Sequence, residues 1–116
     1  MAVAPKTLSA VTVATTAGGT VLSATSILCS YVRIEADAAN TAATNIYVGD
    51  SNISSSRYSA ALQVANAAGN AARYVEWYAP AEGTRPGATN IDLSKIYAIC
   101  GTGSQKLQVT YIERMS

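Results

Sequence analysis

The sequence contains no histidine, the side chain that most often serves as a general base or a metal ligand near neutral pH. Serines are plentiful, but a nucleophilic serine needs a base within hydrogen-bonding reach, and no Gly-x-Ser-x-Gly motif is present to expose one. Most carboxylates fall in turns or on strand faces that the pattern predicts to be solvated. The sequence therefore predicts a protein that is not an enzyme and that holds no cofactor and no metal ion.

Charge is also scarce. Eight basic and seven acidic residues give a net charge of +1 and make up 13% of the chain, against roughly 25% in ordinary soluble domains. The basic residues are scattered rather than clustered in the stripe that phosphate binding requires, so we predict no binding to nucleic acid. So few charges favour a surface that is partly buried against other subunits, and we expect a homo-oligomer.

Long apolar runs are absent as well. No segment approaches the roughly 20 apolar residues that a membrane-spanning helix needs, and residues 1–6 lack the basic-then-apolar order of a signal peptide. We therefore expect no association with a membrane, and a protein that is made and used without secretion. A chain of 116 residues is long enough to bury one core by itself. We expect an N-terminal arm, 1–6, followed by a single β-sandwich domain, 7–116.

Only two cysteines are present, Cys29 and Cys100, which are too few for a disulfide scaffold and too far apart for a metal-binding knuckle. Each lies in an apolar, strand-like segment, so the simplest interpretation is a small buried hydrophobic side chain. A disulfide between the two is the alternative.

Short strand-like patterns are what the sequence has in abundance. Apolar and polar residues alternate in 31–36, 73–79 and 106–113, which predicts half-buried antiparallel strands. About seven to eight such strands at regular intervals, without a clear helical segment, predict an all-β fold. The favoured version is an antiparallel β-sandwich of the jelly-roll type. Periodicity does not reveal the order of the strands in the sheets.

Glycine and proline mark the expected breaks between strands. Segments 17–20 and 101–104 are predicted to be hairpin turns, since glycine supplies the positive φ that tight hairpins require. Two prolines and two glycines predict a loop at 80–87. The alanine-rich stretch 54–72 is ambiguous, but an isolated helix of this length is marginal. We predict irregular structure with a short strand there.

An aromatic group, Tyr74, Trp77 and Tyr78, is the leading candidate for a functional surface. Tyrosine and tryptophan provide large contact area and are enriched at the energetic centres of interfaces. On a strand Trp77 faces away from Tyr74 and Tyr78, so one set must point away from the core. The alternative is that Trp77 anchors the core and the two tyrosines merely border it.

Four segments, taken in order, carry a family resemblance. They are Ser-Ile-Leu-Cys at 26–29, Tyr-Val-Arg-Ile-Glu-Ala at 31–36, Asn-Ile-Tyr-Val-Gly-Asp-Ser at 45–51 and Ile-Asp-Leu-Ser-Lys-Ile-Tyr at 91–97. Their order and spacing resemble small structural proteins of tailed bacteriophages, which decorate or cement the head or occur as minor virion proteins. The resemblance covers about residues 8–51 and 90–112, whereas the segment from 59 to 87 departs from the pattern.

The resemblance implies a capsid decoration or cement subunit that bridges and stabilises major capsid proteins on the capsid surface of the virion, assembled in the host bacterial cytoplasm. It also implies a homotrimer, since such subunits commonly sit on local three-fold axes. The N-terminal arm, with Val3 and Pro5, and the adjoining Leu8 would lie on the capsid or pair with an exposed sheet edge, or else stay disordered. The expected interface therefore consists of Val3, Pro5, Leu8, Tyr74, Trp77 and Tyr78.

The runner-up hypothesis is a carbohydrate-binding or host-recognition β-domain of a phage head fibre or tail. In that role exposed Trp77, Tyr74 and Tyr78 would stack on sugar rings, and a buried Trp77 would count against it. A depolymerase is a third and less favoured class, because it would need two acids facing each other across one deep cleft.

Overall fold

The structure, a computed structural model, describes residues 4–15, 18–37, 45–62, 74–79, 90–101 and 105–113. These residues form ten β-strands and one short 3₁₀ turn, so the predicted all-β fold is confirmed. The strands are Lys6–Thr7 (β1), Val11–Thr12 (β2), Thr20–Val21 (β3), Leu28–Ala36 (β4), Ile46–Gly49 (β5), Ala60–Leu62 (β6), Tyr74–Tyr78 (β7), Ile91–Asp92 (β8), Tyr97–Cys100 (β9) and Lys106–Glu113 (β10). The 3₁₀ turn, Leu93–Lys95, lies between β8 and β9.

The strands form two antiparallel sheets that pack face to face, which confirms the predicted sandwich. In the first sheet β1, β10, β4 and β7 lie side by side, while β2 also pairs with β10 and β8 with β4. The second sheet has the order β3, β9, β5 and β6. Strands that are distant in the sequence therefore become neighbours in both sheets.

The strand order is that of a jelly roll. If β1 and β2 are taken as one interrupted strand, the chain forms a long hairpin with the β5–β6 pair at its tip. Its two arms pair β4 with β7, β3 with β9, and β1 and β2 with β10. Rolling this hairpin brings β10 beside β4 and β9 beside β5, which completes the two sheets. The structure has more strands than the expected seven to eight or so because one edge strand is interrupted and β8 is added.

Alternating side chains place the core between the two sheets, as the pattern predicts. In β4 Val32 and Ile34 are fully buried, and in β10 Leu107 and Val109 are buried in the same way. Full burial of each such side chain contributes on the order of 1.5–3 kcal/mol to stability. The buried cluster consists of Val13, Leu22, Cys29, Val32, Ile34, Ile46, Val48, Leu62, Leu93, Ile96, Ala98, Cys100, Leu107, Val109 and Tyr111.

The two predicted hairpin turns are wrong. Gly18 and Gly19 have the expected positive φ, 92° and 69°. However, β2 pairs with β10 and β3 pairs with β9, so this turn carries the chain from one sheet to the other. β9 and β10 also belong to different sheets, so the segment that starts at Gly101 is a second crossover. A local sequence pattern cannot distinguish a hairpin within one sheet from a crossover between sheets, because both require the chain to reverse direction.

The N-terminal segment pairs with the chain's own sheet from Lys6 onward, at the end of the predicted arm. The amide N–H of Leu8 donates to the carbonyl oxygen of Val109 at 3.0 Å, and the Leu8 side chain packs against the core. Pro5 is exposed, and Val3 lies outside the described residues. Leu8 therefore contributes to its own sandwich with the part of its side chain that is buried.

Two further predictions concern the middle of the chain. The short strand predicted within 54–72 is β6, and the rest of that stretch beyond residue 62 lies outside the described residues. The loop predicted at 80–87 also lies outside them. Within 54–62, Ser54 and Arg57 exchange backbone hydrogen bonds of 3.0 and 3.2 Å, which form a tight turn before β6.

Both cysteines are completely buried, as predicted, and both are thiols. The Cys29 thiol donates to the carbonyl oxygen of Ile91 at 3.3 Å, which ties β4 to β8. Both side chains therefore belong to the core as small buried hydrophobic groups.

Asp92 begins the 3₁₀ turn and acts as its cap. One carboxylate oxygen accepts hydrogen bonds from the Ser94 amide at 2.9 Å and the Ser94 hydroxyl at 2.8 Å, while the other accepts from the Ser26 hydroxyl at 2.8 Å. Burial alone would raise the pKa of Asp92, but these hydrogen bonds together lower it below its ordinary value of 3.8. The ionised form is therefore the one that the fold stabilises.

We expect Asp92→Ala to lower the free energy of unfolding by about 0.5–2 kcal/mol at pH 7, because it removes the cap. A carboxyl with a lowered folded-state pKa stabilises the fold above its unfolded-state pKa, and this contribution disappears as pH falls through the folded-state value. The deficit should thus shrink below pH 3.8. Urea unfolding between pH 2 and 7 measures it, with Asp92→Asn, which keeps one carbonyl acceptor, as the control. A deficit that does not change with pH would contradict this role for the charge.

Candidate interaction surface

The outward face of β4 and β7 carries three tyrosines around one arginine. We call the surface formed by Tyr31, Arg33, Tyr74, Glu76 and Tyr78 the tyrosine face. Antiparallel pairing places Tyr31 opposite Tyr78 and Arg33 opposite Glu76. Tyr78 is 71% exposed and Tyr74 44% exposed, so two large aromatic side chains lie in solvent on a two-strand platform. Among the strands that the structure describes, β7 is the last of its sheet, which places this platform at the sheet edge.

Tyr31 is fixed by two contacts on this face. Its ring lies 5.0 Å from the ring of Tyr78, centroid to centroid, at an interplanar angle of 50°. Its hydroxyl donates to Oε2 of Glu76 at 2.5 Å. This hydrogen bond, with some help from burial, raises the pKa of Tyr31 to about 12, so the hydroxyl remains a neutral donor across the physiological range. Both tyrosine rings are thus held in place before any partner arrives.

Arg33 is fixed in a similar way at the other end of the face. Its guanidinium carbon lies 4.5 Å from the centre of the Tyr74 ring, a cation–π contact worth about 0.5–1 kcal/mol at an exposed site. One terminal nitrogen is 3.6 Å from the carboxylate of Glu35. Its Nε–H is buried and donates to no acceptor among the described residues. The cation–π contact and the ion pair hold the guanidinium over the Tyr74 ring.

Trp77 lies on the opposite side of β7 and packs against the core with Val75. The predicted separation of Trp77 from Tyr74 and Tyr78 is therefore confirmed by the burial pattern of β7. The side of β7 that points away from the core is the one that carries Tyr74 and Tyr78. Trp77 does not belong to the tyrosine face. Part of its side chain packs against the core, as the core-anchor interpretation expects.

The remaining candidate residues are not brought to this face. Pro5 precedes β1, at the edge of the first sheet opposite β7, with β10 and β4 between them. Three strand spacings of roughly 4.8 Å separate β1 from β7. Pro5 and the tyrosines are therefore separate surface features, and Leu8 and Trp77 both pack against the core.

Tyr31 and Arg33 are members of the tyrosine face that the sequence argument did not select. A usable signal was present, because the alternation in 31–36 already places Tyr31, Arg33 and Glu35 on the face away from the core. The sequence does not show which strand lies beside β4. Only the pairing of β4 with β7 brings these side chains beside Tyr74 and Tyr78.

The tyrosine face has the chemistry of a contact surface. Its carboxylate, Glu76, accepts a hydrogen bond from Tyr31. Within the described ranges, cysteines and acidic residues form no group of three or more that would hold a metal ion. Among the same residues, no helix has the length and apolar character needed to cross a bilayer.

The chain matches no protein-family model, no curated protein and no solved structure. The arguments for its function therefore come from the residues themselves and from the surfaces that the fold assembles.

Proposed function

We propose that this chain is a non-enzymatic structural subunit of a bacteriophage virion, a capsid decoration or cement protein that docks on the major capsid protein. The observation that carries the proposal is the tyrosine face. Tyrosine and arginine are among the residues most enriched at the energetic centres of protein interfaces, and here they are held side by side on a sheet. The order of segments that resembles tailed-phage structural proteins supplies the phage context.

Rigidity is the property that suits this face to docking. β4 is nine residues long and is paired on both sides, by β10 and β7. Ring contacts already restrict Tyr31 and Tyr78, and Arg33 already lies over Tyr74. Side chains ordered in advance lose little conformational entropy on binding, where each mobile one would lose about 0.5–1.5 kcal/mol.

The jelly roll by itself does not select between the two leading hypotheses. This architecture occurs in viral capsid proteins and in lectins alike, and function depends on the surface that a fold carries. Scarce charge, at 13% of the chain, favours burial of further surface in a homotrimer. A trimer on a local three-fold axis would engage several capsid subunits at once, which raises the effective affinity well beyond that of one face.

Docking on capsids that lack the protein tests this proposal. We expect the purified protein to co-sediment with such capsids, to raise the temperature at which they rupture, and to be trimeric by sedimentation equilibrium. Tyr78→Ala should weaken capsid binding by roughly 30-fold per site, the effect of losing an energetic centre of about 2 kcal/mol. Among the described residues Tyr78 is the most exposed of the large hydrophobic side chains, so the variant should fold normally.

Tyr58→Ala is the matched control. Tyr58 is also exposed, at 47%, but it precedes β6 and lies outside the tyrosine face. Its removal should leave capsid binding unchanged. No binding by the unaltered protein, or equal losses in the two variants, would refute the proposal.

A further inference from the structure

Two depressions adjoin at the corner of the sandwich where β5 ends and β6 begins. The first has a volume of about 290 Å³, with Trp77, Ile91 and Ile96 as its apolar lining and Lys95 at its side. The second has a volume of about 210 Å³ and is lined by Arg57 and Tyr58. Asp50 and Ser59 line both depressions, so the two share a polar boundary.

We propose that these depressions form one binding site for a neutral oligosaccharide, with one sugar ring in each. We call it the Asp50 cleft, defined by Asp50, Arg57, Tyr58, Ser59, Trp77 and Lys95. The first depression is close in volume to the lower end, roughly 300 Å³, of the range for small-molecule sites. Such sites combine an apolar lining with a few polar groups that converge, which is the composition of the first depression, whereas the second is lined mainly by polar groups.

Each depression contains an aromatic ring. Trp77 lines the first, and its inner surface is held by the core. Tyr58 lines the second, and its ring is held 4.7 Å from the ring of Tyr47, centroid to centroid. A pyranose ring presents C–H groups on one face and hydroxyl groups around its rim. Fixed aromatic side chains with polar neighbours therefore suit two successive sugar rings.

Asp50 is positioned to accept hydrogen bonds from both rings. Its Oδ1 accepts from the Asn52 amide at 2.9 Å, which fixes the carboxylate, while Oδ2 accepts no hydrogen bond from any described residue. An ionised carboxylate can only accept, and sugar hydroxyls are donors that match it. Gly49 lets this corner close, because a Cβ there would stand 3.3 Å from the Ser59 amide nitrogen and 3.4 Å from Cα of Tyr58.

The arrangement of charge favours a neutral ligand. Arg57 and Lys95 line opposite depressions, and Asp50 lies on the boundary that they share. Among the described residues, each depression is lined by one base and by Asp50, so neither has a net charge of its own that would select an anion or a cation. The hydroxyl groups of a polyol can donate to Asp50 and accept from Arg57 and Lys95.

The Asp50 cleft goes beyond the proposed docking role and does not depend on it. The tyrosine face lies on the outward side of β4 and β7, whereas the cleft is reached from the side of β7 that carries Trp77. One chain can therefore dock through one surface and bind a saccharide at the other. Separate variants test the two surfaces.

Fluorescence offers a direct test, because Trp77 is the sole tryptophan of the chain. The full chain is first applied to an array of neutral and acidic glycans, and the neutral hits are then titrated as free disaccharides and monosaccharides. We expect a change in Trp77 emission on binding, with the disaccharide binding at least about tenfold more tightly than either monosaccharide. Absence of binding by every neutral glycan would overturn the proposal.

Two surface variants and one control assign the site. Asp50→Asn keeps the oxygen that accepts from Asn52 but loses the charge, and should weaken disaccharide binding about tenfold or more. Tyr58→Ala should remove the advantage of the disaccharide over the monosaccharide. Tyr78→Ala should bind sugars normally, the reverse of its effect on capsids. Binding that is unaffected by Asp50→Asn, or that is lost equally in Tyr58→Ala and Tyr78→Ala, would refute this assignment.

Discussion

Gly19→Ala is expected to lower the free energy of unfolding by about 2 to 5 kcal/mol, a large part of the roughly 5–15 kcal/mol available to a small domain. Two separate causes contribute. The backbone of Gly19 has a φ of 69°, which side-chain-bearing residues rarely adopt. A Cβ at this position would also overlap the carbonyl oxygen of Ala98 and stand 3.2 Å from Cγ2 of Ile53. Because Ala98 is the register partner of Thr20, that overlap would push β3 away from β9.

Three glycines of the chain separate the two causes. Gly18 has a φ of 92°, but a Cβ there would meet no described atom within 4 Å. Gly18→Ala should therefore show the backbone penalty of about 1–2 kcal/mol without the overlap. Gly101 has neither feature, so Gly101→Ala should change stability by no more than about 0.5 kcal/mol. Denaturant unfolding followed by Trp77 fluorescence measures the series, and equal losses at Gly18 and Gly19 would contradict the overlap argument.

The positions of the longer strands could be predicted from the sequence for a physical reason. A half-buried strand alternates its side chains with a period of two, and β7, β10 and the part of β4 from Tyr31 onward carry that alternation. The same rule predicted correctly that Trp77 lies opposite Tyr74 and Tyr78. Some strands are too short for an alternating pattern to be recognised in the sequence: β1, β2 and β8 have two residues each.

Which strands pair with each other could not be predicted in the same way. Alternation tells which side chains face the core, but every strand with an apolar face satisfies it equally, whichever strand lies beside it. The jelly-roll order arises from the rolled hairpin, in which β10 pairs with β4 although about 70 residues separate them in the sequence. Such long-range choices depend on the packing of the complete core, and the turns at Gly19 and Gly101 were misjudged for the same reason.

The candidate sites follow this division. Tyr74 and Tyr78 of the tyrosine face lie on one strand, β7, and were therefore selected from the sequence, whereas Tyr31 and Arg33 joined them only through pairing. The Asp50 cleft could not have been selected. Asp50, Trp77 and Lys95 belong to three separate segments, and only the corner between the sheets brings them to one depression. Asp50 by itself looks like an ordinary turn residue, which it also is.

Ile34 is the position where pairing and core packing meet. It has no exposed surface, it is paired on both sides within β4, and its register partners are Val109 in β10 and Val75 in β7. A side chain surrounded on both sides by paired strands leaves a cavity that its neighbours cannot easily fill when it is shortened. The penalty for truncation should therefore be near the upper part of the range for buried aliphatic residues.

We expect Ile34→Ala to lower the free energy of unfolding by about 3–5 kcal/mol, and Ile34→Val by about 0.5–1.5 kcal/mol. Glu35→Ala, one residue away on the outward face, is the matched control. Its ion pair with Arg33 spans 3.6 Å between half-exposed side chains, so its loss should change stability by no more than about 0.5 kcal/mol. Guanidinium unfolding at constant pH ranks the three variants. Similar losses for Ile34→Ala and Glu35→Ala would mean that the assignment of inward and outward faces along β4 is wrong, and the tyrosine face would be lost with it.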